Sequence, residues 1–257
     1  MRVAAIYDIH GNLPALDAVL AAIEPEGPDL IVVGGDVAAG PLPAATIARL
    51  MDLGPRARFV RGNADRELVA AFDGAPPDPR LPPIARAQIA WAAGQLDRAA
   101  RDFLAGFTPP ITLPIDGIGD TLFCHGSPRD EDEIITAITP EERLGRIVAG
   151  VGAALVVCGH THMQFDRRSG ATRVVNAGSV GMPYGEPGAY WLMLGPGVAL
   201  RREDYDLDAA AGRIRAGGFP WADDFAERNL RRPPSADGAA ALFEGWADER
   251  ERGVPRG

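Results

Sequence analysis

The chain of 257 residues holds four histidines, His10, His125, His160 and His162. All of them follow short apolar runs that break into polar turns. RVAAIY runs into DIHGN, TLFC into His125-Gly126, and ALVVC into GHTH. Two further runs, at residues 30–33 and 58–60, end in Gly34-Gly35-Asp36 and Gly62-Asn63. Five turns therefore carry Asp8, His10, Asp36, Asn63, His125, His160 and His162. Imidazole, carboxylate and one amide oxygen form a mixed nitrogen and oxygen donor set. Such a set suits Mn, Fe, Co, Ni or Zn better than Mg or Ca.

Seven groups exceed the three or four protein ligands of a single catalytic ion. Two ions sharing a bridging carboxylate use them naturally. In two-metal hydrolytic sites the ions lie about 3.5–4 Å apart and clamp both the attacking and the leaving oxygen. The i, i+2 spacing of His160 and His162 fits this arrangement. On extended backbone both side chains point to one side, so one turn supplies a ligand to each ion. On a helix the same spacing sends them to different faces. Two divalent ions against Asp8 and Asp36 leave a surplus of about two positive charges, suited to a phosphoryl group. Taken singly, these residues have plainer readings. Asp8 and Asp36 read as helix N-caps, Asn63 as a turn residue, and Asn12 as a cap or turn residue. Cys124 and Cys158 read as small buried hydrophobes. The joint pattern decides for metal ligation.

Elements of the right kind stand in place to gather these turns. The run at 2–7 reads as a buried strand. Leu13, Leu16, Val19, Leu20 and Ile23 follow with the spacing of one helix face, and Pro14 is tolerated at the start of that helix. A strand at 30–33, a helix at 43–53 and a strand at 58–60 continue the rhythm. Alternation of this kind implies a parallel sheet with right-handed crossovers. Residues 65–114 read as a helical insertion over the sheet, interrupted by a proline-rich loop at 73–83, with the helix at 84–104 in two pieces. Strands return at 121–124, 154–158 and 173–176, with a helix at 140–148. An antiparallel pair at 189–194 and 198–202 turns at Gly195-Pro196-Gly197. The domain is expected to occupy residues 1–205. Residues 206–257 read as a helical extension, with a helix at 208–216, a short one at 238–249, and a frayed tail. In an open α/β sheet, ligands bind outside the carboxyl ends of the strands, and all four histidines stand there.

The composition is that of a globular protein, with 46% hydrophobic and 24% charged residues. The net charge of −9 speaks against a general nucleic-acid or membrane-surface binder. No apolar run approaches the roughly 18–20 residues that span a bilayer, and the N-terminus lacks a secretory pattern. Two cysteines make no disulfide framework. The expected location is the cytoplasm; no oligomeric state follows.

The ordered motifs DIH, GGD, GNAD, CHG and GHTH resemble the calcineurin-like metallophosphoesterase superfamily over roughly residues 1–200. DIHGN and the later NAGS (residues 176–179) look most like its small bacterial and archaeal phosphodiesterase and phosphatase branch. The resemblance implies a four-layer α-β-β-α sandwich with helices outside two facing sheets. It implies two divalent transition-metal ions, one held by Asp8, His10, Asp36 and His162. The other is then held by Asp36, Asn63, His125 and His160, with Asp36 bridging. The reacting centre is expected at Asp36, His125 and Asn63. Many members carry a histidine after the asparagine that protonates the leaving oxygen; here the position is Ala64, which transfers no proton. Tyr7 replaces a frequent serine, and Asp65 keeps the motif's last acid without an evident object.

The expectation is a metal-dependent phosphoric ester hydrolase acting on a small phosphorylated, nucleotide-like substrate with a good leaving group. Arg66 and Arg129 are candidates for substrate contact, although a solvated or ion-paired role suits each of them and Arg61 better. Gly178 and Ser179 are expected in a tight turn whose backbone approaches the site. Other readings are a protein phosphatase, a dinucleoside polyphosphate hydrolase, a metal-binding regulatory protein with little turnover (which Ala64 favours), and a nuclease, which the acidic charge disfavours.

Overall fold

The computed structural model describes residues 1–253. In chain order the first half runs β1 (Val3–Ile6), α1 (Leu13–Glu26), β2 (Leu30–Val33), α2 (Pro43–Met51), β3 (Ala57–Phe59), α3 (Asn63–Phe72), α4 (Pro83–Ala93), α5 (Arg98–Ala105), β4 (Ile111–Ile115) and β5 (Gly119–Phe123). The second half adds α6 (Glu141–Val148), β6 (Leu155–Cys158), β7 (Phe165–Ser169), β8 (Thr172–Asn176), β9 (Ala189–Leu194), β10 (Val198–Glu203), α7 (Leu207–Ala216), α8 (Ala222–Phe225) and α9 (Ala236–Glu251).

Two five-stranded sheets form, in the orders β10-β9-β1-β2-β3 and β4-β5-β6-β8-β7. The central strands β1, β2 and β3 are parallel, as the strand-helix-strand rhythm implies, and so are β5, β6 and β8. Their antiparallel partners lie toward the edges. Alternation along β1 builds the layers, because successive side chains face opposite sides of a sheet. Ala4 and Ile6 join a core with Leu16 and Val19 of α1 and Ile47 and Leu50 of α2. Val3 and Ala5, with Tyr7 just beyond the strand, face the other way and meet Phe123, Leu155, Val157 and Val175 of the second sheet. The outer face of that sheet packs Val156, Cys158 and Val174 on Leu144, Ile147 and Val148 of α6. The result is the four-layer α-β-β-α sandwich expected from the motifs.

Several elements differ from the sequence reading. Within the insertion read over 65–114, the last helix ends at Ala105, close to the expected 104, but residues 111–115 form a strand, β4, paired antiparallel to β5. This strand lies at the sheet edge, where Pro114 is tolerated because one side of the strand needs no donor. The remaining helices, α3 to α5, cover the first sheet through Leu68, Ile89, Ala92 and Leu104. Strand β7 (FDRRS) has no counterpart in the reading. Its polar sequence is typical of an edge strand, and it carries little apolar alternation. The short helix expected at 238–249 is a sixteen-residue helix capped by Ser235, whose Oγ accepts from Gly238 N at 3.3 Å. The last part of the expected tail, residues 254–257, lies outside the described residues. No helix among the described residues is long and apolar enough to cross a membrane.

Candidate metal centre

All seven sequence-selected residues meet at one end of the sandwich. Asp8 and His10 follow β1, Asp36 follows β2, and Asn63 opens α3 just past β3. His125 follows β5, and His160 and His162 follow β6. The backbone makes this convergence by leaving its ordinary conformations. Asp8, His10, Asp36, His160 and His162 have φ of 53°, 47°, 55°, 65° and 59°, and they are the only non-glycine residues described with positive φ. Each such residue costs on the order of 1–3 kcal/mol and persists only where its surroundings enforce it. The close packing also explains Gly62: a Cβ there would lie 2.2 Å from Asp36 Oδ1.

Two triads result, Asp8–His10–His162 and Asp36–His125–His160, with the candidate ligand atoms of each within 4.8 Å of one another. His162 Nε2 lies 3.4 Å from Asp8 Oδ1. His125 Nε2 lies 3.4 Å from Asp36 Oδ2 and 3.1 Å from Asn63 Oδ1. Asp36 Oδ2, a member of the second triad, is also 3.8 Å from His10 Nε2 of the first, and Asp8 Oδ1 lies 3.9 Å from His125 Nε2, so the two triads adjoin through their carboxylates.

The hydrogen bonds around the imidazoles indicate what the pocket fits. Nδ1 of His10, His125 and His162 bonds the carbonyls of Ala39, Gly34 and Met182, at 3.3, 2.9 and 2.8 Å. A carbonyl only accepts, so Nδ1 carries a proton, and each ring in its neutral form turns an Nε2 lone pair inward. Two of these lone pairs, on His10 and His162, then face each other at 3.1 Å. His125 Nε2 likewise faces the acceptor oxygen of Asn63. Asp8 Oδ1 is buried with no hydrogen-bond partner. Converging lone pairs and an orphaned carboxylate oxygen are what a cation requires, and the residues fit bound metal.

The same crowding governs the protons. Burial opposes charge on His125, but the adjacent Asp36 carboxylate outweighs it and raises the pKa to about 10. Burial, reinforced by His125, lowers His160 to about 3. Asp36 stays well below the usual carboxylate range: burial opposes its charge, and the His125 ring overcomes that effect.

Several supporting groups were not legible as such in the sequence. Asp65, which had no evident object, is fully buried and accepts from the backbone N–H groups of Asp36 (2.8 Å), Val37 (2.9 Å) and Gly62 (2.9 Å). It ties the turn after β2 to the start of α3. Ala64 offers no acidic proton, yet its N–H donates to Asp36 Oδ1 at 2.7 Å and fixes that carboxylate. Ser179 Oγ donates to Asp8 O at 2.7 Å, so the turn expected at 178–179 does approach the site. Tyr7 is buried between the sheets and its hydroxyl donates to Val157 O at 3.3 Å. It also explains Gly34, whose added Cβ would lie 1.8 Å from the Tyr7 ring.

The plainer readings divide. Asn12 caps α1 by accepting from Ala15 N, while Asp8 and Asp36 cap no helix, and Leu42 holds the cap position of α2. Cys124 and Cys158 are free and buried. Beside His125 a cavity of about 440 Å³ is lined by Arg61, Arg66, Ser127, Arg129 and Glu131, among others. Its arginines are ion-paired, as suited each of them: Arg61 and Arg66 with Glu131, and Arg129 with Glu133.

Comparison with known proteins agrees with this geometry. A metallophosphoesterase from Sphaerobacter thermophilus is 26% identical, over 89% of this chain and 97% of its own, with a TM-score of 0.69. A hypothetical protein from Pyrococcus horikoshii is 21% identical over 91% and 99%, with a TM-score of 0.77. No curated protein matches. The family description "calcineurin-like phosphoesterase superfamily domain" matches residues 1–194. With the matched family and the sandwich in agreement, the chain belongs to the calcineurin-like phosphoesterase superfamily and is a hydrolase of phosphoric esters.

Proposed function

We propose that the protein is a dinuclear metal-dependent phosphoesterase that cleaves small phosphodiesters or phosphomonoesters with good leaving groups, nucleotide-derived esters among them. The observation that carries this reading is the pair of adjoining triads of metal-type ligands, with the Asp36 carboxylate of one facing His10 of the other. Asp8, His10, Asp36 and His162 would hold one divalent transition-metal ion. Asp36, Asn63, His125 and His160 would hold the other. When bound, such ions supply Lewis acidity toward the phosphoryl oxygens and a nucleophile from water near neutral pH.

The chain's own residues do the rest. The carbonyls of Ala39, Gly34 and Met182 fix three imidazoles in the tautomer that ligates. Ala64 N–H and the Asp65 carboxylate hold Asp36 and its turn. No side chain at position 64 protonates a departing alkoxide, and a general acid contributes about 10²–10⁴-fold. Substrates whose leaving group departs as a stable anion are therefore favoured. Arg66 and Arg129 stand at the cavity beside His125, where they would meet the substrate's substituents.

The test is hydrolysis of p-nitrophenyl phosphodiesters against alkyl phosphates, with Mn²⁺ and with chelator. The aryl ester should be cleaved far faster, and only with metal. Equal rates on both would contradict the leaving-group reading, and turnover in chelator would contradict the metal reading.

A further inference from the structure

Residues 127–132 line much of the cavity beside His125, and the segment from there to residue 139 has neither helix nor strand. A loop without a ladder of its own must be ordered from outside. Arg167 of β7 supplies part of that order by donating to Thr136 O, Ala137 O and Thr139 O, and a further part comes from α9, beyond the matched family domain. Glu244, with its side chain 13% exposed, turns its carboxylate into the loop. Thr136 Oγ1 and Thr139 Oγ1 both donate to its Oε1 at 2.5 Å. Arg143 Nη2 donates to Oε2 at 2.7 Å. Both threonines are buried. At the other end of the loop, Arg250 Nη1 donates to Asp132 O at 2.7 Å, and its Nη2 pairs with Asp130.

The loop also touches the metal centre. Ile135 O accepts from Thr161 Oγ1 at 2.9 Å, and Thr161 stands between His160 and His162. The helix itself is seated by apolar contact: Ala239 and Ala240 pack beside Met163 with Tyr184 and Phe243 against them, and Ala247 is also buried. The loop meets that helix through the polar anchors just described. Removing one partner of a buried charged network leaves the others unsatisfied, which costs more than the net worth of the bonds.

We propose that Glu244 is a positioning residue for the substrate cavity: from the C-terminal helix it holds the 127–139 loop in the shape that completes the pocket beside His125. The proposal rests on the phosphoesterase reading of that pocket. In the full-length, Mn²⁺-loaded protein, Glu244→Ala should raise KM for a p-nitrophenyl phosphodiester about tenfold and leave kcat within about twofold. Amide hydrogen exchange across 127–139 should rise in the same variant, with or without metal. Glu244→Gln keeps an oxygen for both threonine hydroxyls and should restore most of the KM. Leu242→Ala, an exposed position on the same helix, should change neither readout. A folded Glu244→Ala protein with wild-type KM overturns the proposal, and so does a raised KM with unchanged loop exchange. Should Glu244→Ala fail to fold, Thr136→Val carries the same two readouts with the Arg143 pair intact. A wild-type protein that hydrolyses nothing would sink the phosphoesterase reading alone; loop exchange would still decide whether Glu244 holds the loop.

Discussion

The metal cradle and the rim of the neighbouring cavity are built by opposite means. In the cradle, Asp8, Asp36 and His125 are almost wholly buried, and their orientation is imposed by backbone: carbonyls on the imidazoles, N–H groups on the carboxylates. At the rim, Arg61, Arg66 and Arg129 are 44%, 37% and 51% exposed and are held by carboxylates of one loop. Exposed ion pairs contribute about 0–1 kcal/mol each, whereas a misdirected ligand disables the centre. On the proposed reading, the chemistry would thus be rigidly fixed and the selectivity adjustable.

The comparison can be broken by substitutions of graded effect. Asp36→Asn should be the most damaging, removing about 4 kcal/mol or more of transition-state stabilisation, on the order of 10³-fold in kcat/KM. Metal analysis should show fewer ions per chain, and a fully loaded, active variant would break the picture. Asp65→Asn changes no proposed ligand atom, yet an amide cannot accept from all three N–H donors of Asp36, Val37 and Gly62. Metal affinity should fall about 10–100-fold, as for other groups that orient ligands, measured by competition with a chromogenic chelator. A change no larger than that of a rim arginine would deny the cradle its rigidity.

Protons sharpen the same contrast. A His125 pKa raised to about 10 means the metal-free ring keeps its proton at neutral pH, so loading must expel it. Affinity should rise with pH toward that value, about tenfold per unit for each proton displaced. Calorimetry in buffers of different ionisation enthalpy should register the release, and metal uptake independent of pH would refute it. Arg129→Ala should have the smallest effect, changing KM by less than about fivefold with kcat retained, because its guanidinium is half exposed and already paired with Glu133.

The cradle was legible because its chemistry sits in rare side chains. Four histidines, each just past a strand end, leave few alternatives. The central strands were legible for a related reason, since buried parallel strands are short unbroken apolar runs. What escaped lacks a side-chain signature. The N–H of Ala64 serves Asp36 through the backbone, and alanine at that position reads only as a missing acid. The partners of Asp65 are backbone N–H groups on three separate residues. The edge strands β4 and β7 carry proline or charge where a central strand would carry valine. Helix α9 buries alanines, which give the pattern little contrast, and its anchoring Glu244 resembles any surface acid.

The donors are split between the two halves of the sandwich. Asp8, His10, Asp36 and Asn63 hang from the sheet centred on β1; His125, His160 and His162 hang from the one centred on β6. A cation seated among them would act as a clasp across the molecule's waist, fastening two layers that otherwise meet through apolar contact and a few hydrogen bonds such as Tyr7 to Val157 and His125 to Gly34. Occupancy would then be felt as melting temperature: metal at a hundred times its Kd adds about 2.7 kcal/mol. EDTA should accordingly loosen the whole body of the enzyme as well as silence it.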